Sequence, residues 1–333
     1  MTTDARAQAM AETALAFWGN AAIPPRLVKN RENIVFDVTL KSGARVALRL
    51  HRPGYQSRDA IESELRWTDL LADQGLAVPR PVRGINGRLT GHAFDRVASC
   101  VEWLEGSQIG SAEVPLRGSA GDQAALMAEV GALVAHLHNT ADAAGQPDPF
   151  DRKAWDVHGL LGVRPHWGRY WENPALTLTD QVILQSAADF ARDTLADLRL
   201  TEDYGLIHAD ILRENVLRGP DGLCLIDFDD SGPGYRLYDL ATALVQSLEE
   251  PHLPQIAGGL VAGYRSQRVL EDEAALHLPL FVMLRCFASA GWIITRAPPE
   301  DPRQHFYAAR AVRMADHVLA GTAPWGPLVA HQI

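Results

Sequence analysis

The sequence predicts an α+β chain of two lobes. A small antiparallel β-sheet lobe with one main helix spans residues 1–106, led by a helix at 1–19, and a larger, mostly helical lobe spans 107–333. Three observations carry this. Short apolar runs with β-type alternation dominate 20–106. From about residue 120 the apolar period becomes helical. One strand-rich island, 206–230, interrupts the helices and has His, Asp and Asn at its ends.

Residues 3–18 read as an amphipathic helix. Runs 34–40 and 45–50 are β-rich and joined by "KSGA", a hairpin signal. Ser57 is an N-cap residue for a helix over 57–75 that ends at Gly75, with Ile61, Leu65, Leu70 and Leu71 along one face. "VPRPV" forces an extended stretch, because the residue before proline is pushed out of the helical region. Strands follow near 82–85 and 94–103, and "WLEGS" turns the chain out of the lobe. In the second lobe the helical stretches are 122–145, 179–198, 236–249, 254–269, 272–296 and 303–319.

Composition bounds the function. The 333 residues carry a net charge of −10, and only Lys29, Lys41 and Lys153 among 31 basic residues are lysines. A nucleic-acid footprint would need a basic face, so no nucleic-acid partner is expected. The cysteines, Cys100, Cys224 and Cys286, lie far apart in or beside apolar runs, show no metal spacing and suit a reducing compartment. The N-terminus lacks a signal peptide's apolar stretch. The run "LPLFVML" stops at Arg285, short of the ~18–20 residues a bilayer span needs. A cytoplasmic protein with no membrane partner is expected.

The chemistry concentrates in "LIHADILRENVL" (206–217) and "LIDFDD" (225–230). Val216–Arg218 and Leu223–Ile226 are the arms of a hairpin turning at "GPDG". With Asp221 at its centre, Asn215 lies six residues before and Asp227 six after. Antiparallel pairing then brings these two to the open end together, with His208 and Asp210 just upstream. A carboxamide and a carboxylate form a hard-oxygen pair suited to Mg²⁺ rather than Zn²⁺. A further carboxylate beside them is what phosphoryl transfer asks for: ligands to neutralise phosphate charge and a base to orient the attacking hydroxyl.

These residues resemble a known family. "HADILREN…IDFDD" is similar to the catalytic and metal motifs of the aminoglycoside phosphotransferase and choline kinase superfamily, which is protein-kinase-like. The wider stretch "LRLHRPGYQS…IESEL…VPRPV…WLEG…LIDFDDSGPGYRLYDLATAL" resembles the branch holding type II homoserine kinases and stress-response kinases. The resemblance implies a protein-kinase-like two-lobe fold and ATP with Mg²⁺ as cofactors. It implies Asp210 as the base that takes or orients the acceptor's proton, and Asn215 and Asp227 as metal ligands. His208 corresponds to a residue bracing the loop, and Asp239 to a helix aspartate that bonds the loop's backbone. In the first lobe Arg49 corresponds to the strand lysine that grips phosphate, with Glu64 as its ion-pair partner and Glu62 as competitor. "KNRENIVF" takes the place of the phosphate-covering loop without its glycines, leaving Asn33 as a candidate phosphate cap. Trp103 lies in the stretch that resembles the adenine-binding hinge. Where protein kinases have a lysine two residues after the catalytic aspartate, this chain has Leu212. Arg213 either supplies the missing charge at the phosphoryl group or forms an ion pair within the loop.

On the acceptor side, residues 148–174 are rich in aromatics. Trp167 and Trp171 are candidates for a cation–π cage, Asp156 for pairing an amine, and Arg236, Arg169 and Arg285 for holding a carboxylate. Asp229 is a second acidic group near metal or substrate. The expected acceptor is a small hydroxylated metabolite: an amino alcohol, a hydroxy amino acid or an aminoglycoside-like compound. Two other readings are a Ser/Thr protein kinase of the stress-response type, for which "SGPGYR" leaves little activation loop, and a catalytically silent nucleotide sensor or scaffold.

Overall fold

The computed structural model describes residues 3–31, 33–198 and 203–328. Two compact units are distinguished by their contacts: Met1–Ser107 with Ala143–Arg152 and Leu217–Asp229, and Gln108–Asp142 with Lys153–Val216 and Asp230–Ile333. Two segments distant in sequence, 143–152 and 217–229, therefore pack with the N-terminal sheet.

In the first unit α1 (Asp4–Leu15) is capped by the Thr3 side chain, which accepts from the Arg6 N–H. Six strands follow: β1 (Arg26–Asn30), β2 (Ile34–Thr39), β3 (Arg45–Leu50), β4 (Pro81–Val82), β5 (Thr90–Ala93) and β6 (Arg96–Glu102). They form an antiparallel sheet in the order β1-β2-β3-β6-β4, with β5 also on β6. The β2–β3 register runs from Ile34↔Leu50 to Thr39↔Arg45. Alternation along β2 sends Ile34, Phe36 and Val38 to one face, where they bury against Met10, Ala14 and Leu15 of α1. The sheet's other side holds α2 (Arg58–Asp73), whose Ile61 and Leu65 bury with Leu89 and Val101. Ser57 caps α2 by accepting from Ala60 N–H at 3.0 Å. β1 and β5 were not read from the sequence: β1 shows no clean alternation and carries a register shift between Leu27 and Lys29.

A second small sheet runs β10-β9-β7, from β7 (Ser107–Gln108), β9 (Val216–Gly219) and β10 (Gly222–Leu225). In the second unit β8 (Tyr204–Ile207) pairs antiparallel with β11 (Gly232–Tyr235). The helices of this unit are α3 (Ala120–Ala144), α4 (Val157–Leu161), α5 (Leu178–Leu198), α6 (Arg236–Val245), α7 (Leu253–Arg265), α8 (Asp272–Ala275), α9 (Leu278–Trp292) and α10 (Pro302–Leu319), with α6 packed on the strand pair. The sequence predicted one helix over 272–296. Two are found, parted at Leu276–His277, with Pro279 in the first turn of α9. α9 is buried from Leu278 to Gly291 almost without interruption, the signature of a core helix.

An 18-residue window of the stretch 272–295 has a mean hydropathy of 1.6, and the stretch is long and apolar enough to cross a bilayer by length and composition. The expectation from unbroken runs is corrected here, because averaging over the stretch absorbs Arg285. Most of that window, 72 %, is buried inside the protein, and Arg285 itself is bound there to a carboxylate.

α3 and α7 cross at unusually short range. A Cβ on Gly263 would lie 1.9 Å from the Ala128 carbonyl oxygen, and one on Gly131 would lie 2.0 Å from that of Leu260. Both obstacles are backbone, so neither helix can yield by rotating a side chain. Gly263→Ala should destabilise the second unit by about 1–3 kcal/mol, the usual range for overpacking. Chemical denaturation checks this, and an unchanged midpoint would contradict the close crossing.

Candidate active site

The site residues fall into two groups, one in each unit. In the first unit the central strand β3 presents Arg49 and α2 presents Glu64 toward it. Arg49 Nη1 donates to Glu64 Oε1 at 2.5 Å, and both side chains are buried. Glu62, the competing candidate, instead takes Arg58, Arg66 and Thr90 on another face of α2. Nη2 of Arg49 lies 3.4 Å from Asp229 Oδ1 and 3.6 Å from Asp227 Oδ1. Burial works against the Arg49 charge. The carboxylates of Glu64, Asp229 and Asp227 outweigh it and hold the guanidinium pKa above its ordinary value.

Asp229 is the more enclosed acid. Its Oδ2 accepts from Asn33 Nδ2 at 3.2 Å, and His51 Nδ1 lies 3.8 Å from Oδ1. Its backbone oxygen accepts from Gln56 and from Arg152. Burial alone would raise its carboxyl, yet His51, Arg49 and Arg152 keep it well below the usual carboxylate range. Asn33 is committed on both sides, because its Oδ1 also accepts from the Arg52 N–H at 2.9 Å. Asp227 is half-exposed and sits at φ 66°, a left-handed backbone few non-glycine residues adopt. Trp103 packs under the Arg45 guanidinium at 4.6 Å, and its N–H donates to the Arg45 carbonyl.

In the second unit the loop after β8 carries His208, Ala209 and Asp210. Ala209 has φ 65°, and the conformation is held from below by Asp239 of α6. The Asp239 carboxylate accepts from the N–H of His208 at 2.9 Å and of Ala209 at 2.6 Å. It also accepts from His138 of α3 at 3.0 Å, and Nδ1 of that ring faces the Tyr264 hydroxyl at 2.9 Å. Burial pulls the His138 pKa down against the pull of Asp239, so the neutral ring donates through Nε2 and accepts from Tyr264. His208 Nδ1 accepts from the Asp210 N–H at 3.2 Å. His138 and Tyr264 were missed by sequence reading, because isolated polar residues in helical patterns carry no local signal.

Both Asp210 carboxylate oxygens are engaged. Oδ1 accepts from Arg285 of α9 at 3.0 Å, and Oδ2 accepts from Asn215 Nδ2 at 3.1 Å. The Asn215 amide nitrogen also bonds the Asp210 carbonyl at 2.9 Å. This turns the carboxamide oxygen, the atom a hard cation takes, to the side away from Asp210. Asn215 immediately precedes β9, Asp227 follows β10 by two residues, and β9 and β10 are hydrogen-bonded neighbours.

Several sequence-predicted side chains are placed elsewhere. Arg213 takes the ion-pair alternative: its buried guanidinium bonds Glu250, Ser247 and the Val114 carbonyl. Arg236 is buried against Asp142, Asp203 and the Leu206 carbonyl, which removes it as an anion anchor. Asp156 caps α4 by accepting from the Gly159 N–H at 2.8 Å. Trp171 packs edge-on against Tyr170. Trp167 stays beside Arg285. Its indole lies beneath Arg285 at 4.3 Å, and its N–H donates to Asp230 Oδ1 at 3.3 Å. Among the described residues no group of three or more His, Cys, Asp or Glu side chains gathers as a metal site.

A profile of the phosphotransferase enzyme family matches residues 26–277 of this chain. The chain belongs to that family. Among curated relatives, the homoserine kinase of Rhizobium meliloti (strain 1021) is 30 % identical over 263 residues, covering 72 % of this chain and 72 % of that protein. The solved structure of a microcompartment-associated aminopropanol kinase is 29 % identical, covers 95 % of this chain and 99 % of its own, and superposes with a TM-score of 0.78. An amicoumacin kinase solved with AMP-PNP, Ca²⁺ and Ami superposes with a TM-score of 0.75 at 21 % identity, covering 98 % of this chain and 97 % of its own. This member of the phosphotransferase family is a protein-kinase-like α+β kinase that acts on a small molecule.

Proposed function

We propose that the chain transfers the γ-phosphate of ATP to a hydroxyl of a small amino alcohol or hydroxy amino acid, with Asp210 as base. The observation that carries this is the arrangement of Asp210 and Asn215. A carboxylate stands on a rigid loop, and the neighbouring carboxamide is oriented with its nitrogen toward it and its oxygen away. General base work needs a fixed carboxylate within reach of the acceptor hydroxyl, and the bonds to Asp239 fix this loop.

Asn215 Oδ1 in the second unit and the half-exposed Asp227 carboxylate in the first are hard oxygens of the kind Mg²⁺ prefers, and each is proposed as a Mg²⁺ ligand. A bound divalent ion would neutralise triphosphate charge. In the first unit Arg49, braced by Glu64, carries a permanent positive charge of the kind that phosphate oxygens attract. The acceptor class rests on the relatives, whose names specify homoserine and aminopropanol, and on Trp167 and Asp230 standing near the base.

The test is a coupled assay of ADP release from ATP and Mg²⁺ across L-homoserine, 1-amino-2-propanol, ethanolamine, choline and an aminoglycoside. Acceptor-dependent release that stops with EDTA is expected. Release unaffected by EDTA, or no stimulation by any acceptor, would overturn the reading.

A further inference from the structure

We infer that Arg285 is a positioning residue for the base, holding the Asp210 carboxylate in its working rotamer from outside the catalytic loop. The inference rests on Asp210 being the base, as proposed above.

Arg285 reaches the loop from the buried core helix α9, 75 residues further along the chain. Nη2 donates to Asp210 Oδ1 at 3.0 Å, while Nη1 donates to Ser289 Oγ at 2.7 Å, one helical turn on. Ser289 in turn donates to the Arg285 carbonyl at 3.0 Å, which closes the brace. The flat face of the guanidinium lies 4.3 Å over the Trp167 ring. Trp167 is itself fixed by its N–H on Asp230 and by edge contact with Trp155. The guanidinium is thus held by Ser289 and by the Trp167 ring before it meets Asp210. With Oδ2 on Asn215, both carboxylate oxygens have assigned partners, and rotation about χ2 would break two bonds.

The packing argues against a purely structural arginine. Arg285 is buried to 4 % side-chain exposure. Its Nε is buried with no hydrogen-bond partner among the described residues, an uncompensated cost of burying a donor. A core position on α9 would be better filled by an apolar side chain unless the charge were needed at its tip. The loop offers no nearby substitute: Leu212 is apolar and Arg213 is spent on Glu250.

The experiment compares kinetics and folding of Arg285→Met, Arg285→Lys and Arg285→Ala in the full chain, reading ADP release from Mg²⁺ and ATP with the acceptor that the panel identifies and with water alone. Arg285→Met should lower kcat by about 10²-fold, the scale of a 1 Å misplacement, with KM for ATP nearly unchanged. Arg285→Lys should recover part of it, since an ammonium cannot fork between Asp210 and Ser289. Guanidinium ion at millimolar concentration should raise turnover of Arg285→Ala and leave the wild type unaffected. A kcat for Arg285→Met near wild type, or a loss confined to KM, would overturn the inference. So would a folded Arg285→Ala that guanidinium does not rescue. If the Met and Ala variants do not fold, Arg285→Lys carries the test, and wild-type kcat in it overturns the inference. Asp210→Asn serves as the reference: full turnover there removes the base assignment itself, whereas an inactive Asp210→Asn beside a normal Arg285→Met removes only the role of Arg285.

Discussion

Asp210→Asn should lower phosphate transfer by about 10²–10⁴-fold, the range attributed to a positioned general base, while ATP binding in the presence of Mg²⁺ stays nearly intact. The substitution keeps the size of the side chain and removes the proton-accepting charge, and one of the two donors facing it, Arg285 or Asn215, loses its acceptor. Its fold should survive, because the loop is held by backbone N–H bonds to Asp239 and not by the Asp210 carboxylate. ATP-dependent thermal shift and steady-state ADP release separate the two effects. Turnover within a few-fold of wild type would remove Asp210 from the chemistry. Loss of ATP binding would mean instead that this carboxylate serves nucleotide affinity.

Asp239→Ala should be the most damaging single change to stability in the second unit. Its carboxylate is fully buried and accepts from two backbone N–H groups and from His138. Removal leaves three buried donors unanswered, each worth about 1–3 kcal/mol. Since some of them will find water or relax, a total of about 3–5 kcal/mol is expected. Ala209 makes the position worse, because its left-handed backbone at φ 65° persists only while its surroundings hold it. Denaturant titration reads the stability loss, and turnover should fall even where the variant is folded. A variant as stable as wild type would show that the loop does not depend on this anchor.

The two expectations rest on different kinds of information. Asp210, Asn215 and Asp227 were legible because their spacing around a short hairpin is local, and a hairpin's register follows from its turn. Asp239 was legible only through family resemblance, since an aspartate in an apolar helix says nothing about which backbone it will meet. Arg49 and Glu64 lie fifteen residues apart on a strand and the next helix, a separation that pattern alone does not pair. The structure pairs them at 2.5 Å.

Arginine was the residue type that the sequence resolved least. Arg213, Arg236 and Arg285 were all candidates for anion contact. Arg213 and Arg236 are consumed by Glu250 and by Asp142 with Asp203, whereas Arg285 stands on the Asp210 carboxylate. A guanidinium on a long stem pairs with whichever carboxylate the packed helices bring near, and sequence distance does not order those choices. The aromatics of 148–174 divide in the same way, with Trp167 beside Arg285 and Trp171 packed on Tyr170.

By itself the sequence determined the class of fold, the positions of most helices and strands, and the clustering of acidic and amide groups in the loop and hairpin of 208–227. Those depend on periodicity, turn chemistry and spacing over fewer than about twenty residues, all of which are local quantities. The tertiary structure decided which charges meet: Arg285 with Asp210, Arg49 with Glu64, and Asp239 with the loop's own backbone. Such pairings are set by how helices cross and which face of a strand is buried. They emerge only when the whole chain competes for the same interior.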